Sequence, residues 1–539
     1  MLLRRDLLTG LAGLAALPLV GCGHAPASSP AGVATASAPL AEPGAVPPPA
    51  APLPTLAPDD LAWINRLSFG VNGGTVRAYA QQGRQEWLQN QLAPPKSDGL
   101  PQALALRVAG MTIATRPVAN LAWEMQERRR ESESPGEPAN RSQARRAWQQ
   151  EMNRLEREAA TRQFWRSLYS PHQLREQMVW FWGNHFSIHG NKRELRALVG
   201  DYEETALRPH ALGRFQDLLV AASTHAAMLR YLDNDQNSAG RINENFAREL
   251  MELHTLGVNG GYAQKDVQEL ARLLTGLGVA SGEATPRLRE HQMAQYRRQG
   301  LTEFNPARHD NGPVTILGVT SGGKGWDDIV AQLQRFAHHP STARHLSRKI
   351  ARFLMADEPP AAVVERMATA YLKADTAIAP MLQALFEAPE FAPSLGRKFK
   401  DPQRWVLSSL RLVHDDRLIV NPAPALTWLQ RLGQAPWGRV TPDGYPMQAS
   451  AWSGSGQLGT RFEIARAIGG GTNALFRAEE GGPVNVMVVP ALVRLEQAPL
   501  VRQNVWPVLS AETRSALAEA GSPAPWNALL LSSPEFMRC

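Results

Sequence analysis

The side chains best suited to proton transfer or metal binding are concentrated in residues 243–257. The run has helical periodicity and contains Glu244, Arg248, Glu249, Glu252 and His254. On a regular helix, which turns by about 100° per residue, His254 falls in the apolar arc and the charged residues share the opposite side. Because an unpaired polar group in an apolar arc is costly, we predict that Asn243 and His254 have partners on another element.

Arg248 has a glutamate one helical turn away on each side. Glu244 and Glu252 lie four residues before and after it, so the guanidinium can bridge both carboxylates. This pattern fits a solvated row of salt bridges, and it also fits a site in which the carboxylates do chemistry. Glu252 and His254 would point about 160° apart, and Glu249 and His254 about 140° apart, so one regular helix cannot offer both to one ion. A site must therefore draw residues from several elements.

Two other stretches supply histidines. His185 lies in the aromatic run Trp180–His189, which is typical of a core. His309 and Asp310 lie in a predicted loop, where functional groups concentrate but where turn chemistry also uses aspartate. Together these side chains could hold a divalent metal, or transfer protons between glutamate and histidine without one. The predicted catalytic residues are His185, Glu244, Arg248, Glu249, Glu252, His254, His309 and Asp310.

Helical periodicity dominates the chain and predicts a mainly α fold. We expect a large bundle-like helical body with a few short strands and a more irregular C-terminal third. Strands are predicted at residues 314–317, as part of a small hairpin, and at residues 484–489. Helices are predicted over residues 59–67, 74–92, 142–169, 171–184, 192–206, 212–228, 243–256, 264–276, 326–338, 340–355, 360–373, 377–388 and 401–413.

The N-terminus has the pattern of an exported lipoprotein. Arg4 and Arg5 precede a short apolar run, which resembles a twin-arginine export signal, and the run ends at Cys22 in a sequence that resembles a lipobox. The resemblance implies lipid on Cys22, a periplasmic location and, because Gly23 follows the cysteine, the outer membrane. We predict an export signal at 1–22, a Pro/Ala-rich linker at 23–57, a helical body at 58–465 and a C-terminal extension at 466–539 packed on that body.

Composition narrows the function classes. The net charge is +7, but the arginine cluster at residues 128–146 alternates with glutamates and lacks aromatic platforms, so we expect no nucleic-acid partner. The two cysteines are Cys22 and Cys539, and acylation of the first leaves no disulfide. The sequence contains no nucleophile elbow, phosphate-binding loop or dinucleotide fingerprint.

Five motifs together resemble the DUF1800 family of uncharacterised bacterial proteins. In order they are FWGNHF, YLDNDQN, NENFARELMELHTLGVNGGY, HDNG and HHPSTARHLSRKIARFLMADEPP, and the resemblance covers roughly residues 59–465. Besides the predicted catalytic residues, its motif positions include Asn184, Asn243 and Lys349. The family commonly has a lysine shortly after HDNG, where this chain has Pro313 and Val314.

The resemblance implies no reaction, so two function classes stay open. One is a periplasmic enzyme with a carboxylate and histidine site, with or without a metal. The other is a non-catalytic envelope protein, in which the Arg, Glu and His side chains form a buried network that fixes helix packing. Members of the family are often encoded beside DUF1501 proteins, which implies such a protein as a partner.

Overall fold

The computed structural model describes residues 53–134, 138–477 and 492–539. The predicted export signal, Cys22, most of the linker and the strand predicted at 484–489 lie outside these ranges. Within them, the mainly α fold is confirmed. No described helix has the length and apolar character that a bilayer crossing needs.

Twelve α-helices precede the first strand of the described chain, and most agree with the predicted periodic segments. The bounds are α1 Pro58–Leu67, α2 Gly73–Leu92, α3 Gln102–Ala109, α4 Thr112–Thr115, α5 Val118–Glu133, α6 Pro138–Tyr169, α7 Gln173–His185, α8 Val199–Asp201, α9 Phe215–Thr224, α10 Ala226–Tyr231, α11 Asn245–Glu249 and α12 Gln264–Leu273. The helix predicted over 192–206 is instead short, and it continues as a π-helix over Tyr202–Leu207. The helix predicted over 212–228 stops at His225, whose Nδ1 accepts the amide of Ala227 and caps a new helix.

The remaining helices include shorter ones after residue 414, separated by turns. Their bounds are α13 Glu290–Met293, α14 Trp326–Ala337, α15 Pro340–Leu354, α16 Ala361–Lys373, α17 Ile378–Phe386, α18 Pro402–His414, α19 Ala423–Arg431, α20 Ser455–Gly469, α21 Ala511–Ala518 and α22 Pro523–Ser532. Helix α15 begins at Pro340, and its N-cap His339 accepts the amide of Ser341. Helices α20 and α22 pack against each other.

Two small antiparallel sheets complete the described fold. The hairpin predicted at residues 314–317 is confirmed, with β4 (Val314–Ile316) paired to β5 (Val319–Ser321). The other sheet was not predicted, and it has the order β1–β3–β2, formed by Leu277–Val279, Thr302–Phe304 and Arg297–Gln299. Strands of three residues are too short to give a clear alternating pattern, which explains why the sequence did not reveal them.

A buried ion network fixes α7 against its neighbours. Glu176 of α7 is 3% exposed and accepts two hydrogen bonds from Arg208, at 3.0 and 2.7 Å. Nearby, Arg166 of α6 pairs with Glu204 at 2.7 Å. Burial alone would raise the pKa of Glu176, but Arg208 together with Arg175 and Arg166 outweighs burial and holds that pKa below its usual value. The network therefore fixes the helix whose C-terminal end carries Asn184 and His185.

Candidate functional site

The segment of residues 243–257, which we call the motif helix, is regular only in its first half. Helix α11 starts at Asn245 rather than at residue 243, and after Glu249 the backbone continues as a π-helix over Leu250–His254. A π turn changes the angle between successive side chains, so the angles of about 160° and 140° that a regular helix gives between His254 and the glutamates do not apply here. Asn243 is half-buried in the preceding loop, where its side-chain amide donates to the carbonyl of Asp233 at 3.2 Å.

Two histidines from other helices cap the end of the π-helix. His185 Nε2 lies 3.1 Å from the carbonyl oxygen of His254, and His345 Nε2 lies 3.1 Å from that of Leu253. Because a carbonyl oxygen only accepts, each Nε2 carries the proton and donates. The two rings thereby satisfy carbonyls that a helix end otherwise leaves unpaired. Gly257, at φ +81°, keeps the space for His345, since a Cβ there would lie 2.9 Å from the His345 ring.

The three histidines are neutral at pH 7. Burial lowers the pKa of His254 to about 3 and of His345 to about 4, and the positive charge of Lys349 adds to both shifts. Burial also holds the pKa of His185 well below its usual value. His254 is fully buried, and neither of its ring nitrogens has a hydrogen-bond partner among the described residues. The partner predicted for this ring on another element is therefore not found there.

Acid should unfold the protein partly through His254. The folded state keeps this ring neutral down to a pH of about 3, whereas the unfolded chain protonates it near the usual value of 6.5. In this window the unfolded state binds more protons, so the free energy of unfolding should fall by about 1 kcal/mol per pH unit for this ring. We expect His254→Leu to show a shallower fall in urea unfolding between about pH 6 and about pH 4. The control is His291→Leu, which removes an exposed histidine; equal slopes in the two variants would contradict the assignment.

The glutamates of the motif lie on the half-exposed side of the same segment. Arg248 pairs with Glu244 at 3.1 Å and with Glu252 at 3.7 Å, so the predicted bridge between two carboxylates is present. Gln264 joins it by donating to Glu244 at 2.7 Å. Burial and the charge of Glu252 raise the pKa of Glu249. Glu244 and Glu252 share the Arg248 guanidinium, and among the described residues no hydrogen bond joins a motif glutamate to the ring of His185 or His254.

His309 and Asp310 form a separate group. His309 Nδ1 lies 2.8 Å from the carbonyl oxygen of Thr275, and its ring meets the edge of Phe304. Asp310 pairs with Arg272 at 3.0 Å. Neither residue shares a contact with the His185 and His254 pair. Among the described residues, no group of three or more histidine, cysteine, aspartate or glutamate side chains is arranged to hold a metal ion.

Lys349 of α15 and other charged side chains line a cleft of about 270 Å³. Its other walls include Arg352, Arg439, Asp443 and Tyr445. Arg439 pairs with Asp443 at 2.9 Å, whereas no hydrogen bond or ion pair within the described residues holds the ammonium of Lys349. Burial lowers the pKa of Lys349 to about 8; the charge of Arg352 adds to this shift, and Asp443 opposes it. We call this the lysine cleft.

The loop that closes the lysine cleft is held by Asn184 of the FWGNHF motif. The side chain of Asn184 accepts the amide of Tyr445 at 2.5 Å and donates to the carbonyl of the same residue at 3.0 Å. Gly444 has φ +78°, and a Cβ there would collide with the carbonyl of Asn184. A glycine is therefore required where the loop crosses the end of α7.

Removal of the Asn184 side chain should loosen this loop. Asn184→Ala loses both hydrogen bonds, so we expect the free energy of unfolding to fall by about 1–3 kcal/mol. Amide hydrogen exchange should accelerate at residues 443–447. The matched control is Asn90→Ala, which removes an exposed amide that donates to Gln82. Unchanged exchange in the loop of Asn184→Ala would contradict a positioning role.

Comparison with protein families identifies the chain. The family model that is described as a protein of unknown function (DUF1800) matches residues 62–538. The chain belongs to the DUF1800 family. The match extends past residue 465, where the sequence resemblance ended, and includes the C-terminal helices α20–α22. No curated protein and no solved structure matches this DUF1800 protein.

The sequence pointed to only some of the residues of the lysine cleft. Lys349 is a motif position to which the sequence assigns no role. Arg439, Asp443 and Tyr445 were missed, although the Pro-Asp-Gly turn at residues 442–444 marks a loop of the kind that often carries function.

Proposed function

We propose that this DUF1800 protein is a periplasmic enzyme in which Lys349 donates and accepts protons on a small anionic substrate bound in the lysine cleft. The observation that carries the proposal is the ammonium of Lys349, which lines the cleft and has no ion-pair partner among the described residues. This assignment moves the reacting group from the predicted histidines to the lysine beside them.

The charges of the cleft favour an anion. Lys349, Arg352 and Arg439 contribute three cations, whereas Asp443 contributes one carboxylate and already pairs with Arg439. The neutral histidines behind Lys349 add no negative charge that would hold its proton. A bound carboxylate or phosphate would supply the missing partner through charge-assisted hydrogen bonds.

The lowered pKa suits proton transfer. A general acid or base works best when its pKa lies near the operating pH, and burial brings that of Lys349 to about 8. An amine near this value exists in both protonation states at pH 7 to 8 and can return to its starting state after each turnover. Arginine in the same place would keep the positive charge but could not give up its proton.

A non-catalytic envelope protein is the second candidate. It is favoured by the role of the motif histidines, because His185 and His345 cap a helix end and so stabilise the fold rather than face the cleft. In that case the lysine cleft would bind a partner's acidic group or an anionic polymer without changing it. The two candidates differ in whether the proton on Lys349 must leave.

The test compares Lys349→Met and Lys349→Arg with wild type. Inorganic phosphate and malonate serve as probe anions in thermal unfolding, and a strain lacking the gene serves for complementation of its envelope phenotype. If the protein is an enzyme, Lys349→Arg should still be stabilised by the anions but should fail to complement the deletion strain. If it only binds, Lys349→Arg should complement that strain. If the anions stabilise Lys349→Met as much as wild type, the cleft is not the anion site.

The proposed location and partners have their own tests. We propose that the protein is anchored by lipid on Cys22, in the outer membrane and facing the periplasm, and that a DUF1501 protein is its partner. Metabolic labelling with palmitate should mark the wild type and spare Cys22→Ser, which should then fractionate with soluble periplasmic proteins. Pull-down of the lipid-anchored protein should recover the co-encoded DUF1501 protein; its absence would contradict the partnership.

A further inference from the structure

A second pocket, unrelated to the lysine cleft, lies between α1 and the C-terminal segments. Its volume is about 350 Å³, within the ~300–1,000 Å³ range of small-molecule pockets. The walls are largely apolar and include Leu61, Leu412, Leu509, Leu530 and Phe536. The polar side chains Asp59 and Arg538 are exposed at its lining, so it has an apolar interior and a polar rim.

Lys400 places a positive charge inside this apolar pocket. Its side chain is 1% exposed and lines the pocket, next to Ser408. The backbone of Lys400 is held on both sides, since its amide donates to the carbonyl of Met537 at 2.8 Å and its carbonyl accepts from Arg461 at 2.8 Å. The backbone that carries this buried side chain is therefore fixed by the surrounding fold.

No carboxylate of the described residues pairs with the ammonium of Lys400. It donates to Ser408 Oγ at 3.2 Å and lies 4.1 Å from the centre of the Phe536 ring. The pocket lining has two carboxylates. Asp59 is exposed, and Glu535 accepts from the Ser510 amide at 2.8 Å and from Thr513 Oγ1 at 2.9 Å. A buried lysine has three donors, so the ammonium retains capacity for an anion.

The other charged groups around Lys400 do not replace a carboxylate. Arg404 and Arg461 are cations, and they disfavour its protonated form. The Cys539 thiol can carry negative charge and favours the protonated form of Lys400, but its sulfur already accepts from Arg404 at 3.3 Å. Burial lowers the pKa of Lys400 to about 7, as expected for a buried amine without a close counter-ion.

We propose that this pocket binds an aliphatic carboxylate, with the carboxylate on Lys400 and Ser408 and the chain along the apolar walls. The carboxylate would provide the ion pair that the fold leaves open, and a charged pair shielded from water is held strongly. Burial of the ligand's aliphatic chain against leucine and valine side chains would add about 0.8 kcal/mol per methylene. This corresponds to roughly a fourfold gain in affinity per carbon. The inference does not depend on the proposed function of Lys349.

The test is calorimetric titration of the purified chain with decanoate, and with decanol as the uncharged match. Wild type should bind decanoate at one site and at least about 10-fold more tightly than decanol. Lys400→Met should bind decanoate no more tightly than it binds decanol. Equal affinities for the two ligands in wild type, or no binding of decanoate, would overturn the proposal.

A second variant keeps the test independent of the buried charge. Val508 lines the pocket and is 38% exposed, so Val508→Trp can fill the entrance without disturbing the core. It should weaken decanoate binding at least about 10-fold, whereas Leu106→Trp, at a position 68% exposed outside the pocket, should not. Unchanged binding in Val508→Trp would overturn the placement. Lys349→Met should bind decanoate normally, which separates this outcome from that of the lysine cleft.

Discussion

Replacing Lys349 by methionine should remove the function of the lysine cleft and leave the protein at least as stable as the wild type. The ammonium lines the cleft without an ion pair among the described residues, and burial disfavours its charged form. Methionine has a similar length and no charge to desolvate, so the free energy of unfolding should stay equal or rise by about 1 kcal/mol. If Lys349 acts in proton transfer, turnover should fall about 10²–10⁴-fold.

Urea unfolding and complementation of the deletion strain measure the two effects on the same variant. Lys373→Met removes an exposed lysine at the end of α16 and should change neither. A fall in stability of several kcal/mol in Lys349→Met would show instead that this lysine holds the fold together. Full complementation by Lys349→Met would remove Lys349 from the mechanism.

Truncation of Glu176 should be the most destabilising single change of the buried ion network. Glu176→Ala leaves Arg208 buried, with only Asp98 at 3.5 Å and Glu203 at 3.8 Å as further carboxylates. Removal of one partner of a buried pair typically costs about 3–5 kcal/mol, so we expect a loss of that size in urea unfolding. Because α7 carries Asn184, the loop at residues 443–447 should also exchange faster.

A double variant separates the lost ion pair from lost packing. Glu176→Leu combined with Arg208→Met removes both charges and should be less destabilising than Glu176→Ala, since no charge is left unpaired. Glu127→Ala removes a carboxylate that is 62% exposed and pairs with Arg130 at the surface, and it should cost less than about 1 kcal/mol. A double variant as unstable as Glu176→Ala would assign the loss to packing.

The features of the motif helix that the sequence predicts are those that depend on spacing within one helix. The bridge from Arg248 to Glu244 and Glu252 depends on positions four residues apart, and the structure has both contacts. The burial of His254 followed from its place in an apolar pattern. The contacts at the end of the π turn could not be predicted from spacing, because His185 and His345, which meet its last carbonyls, lie on other helices.

The helical class, most of the periodic helices and the family are predictable from the sequence, because each depends on neighbouring residues or on an ordered series of motifs. Which side chains share a site depends on tertiary contacts. Asn184 contacts Tyr445, which lies 261 residues further along the chain, and so places Asp443 beside Lys349. No spacing within one element encodes such a contact, because it exists only once α7, α15 and the loop at 443–447 pack together.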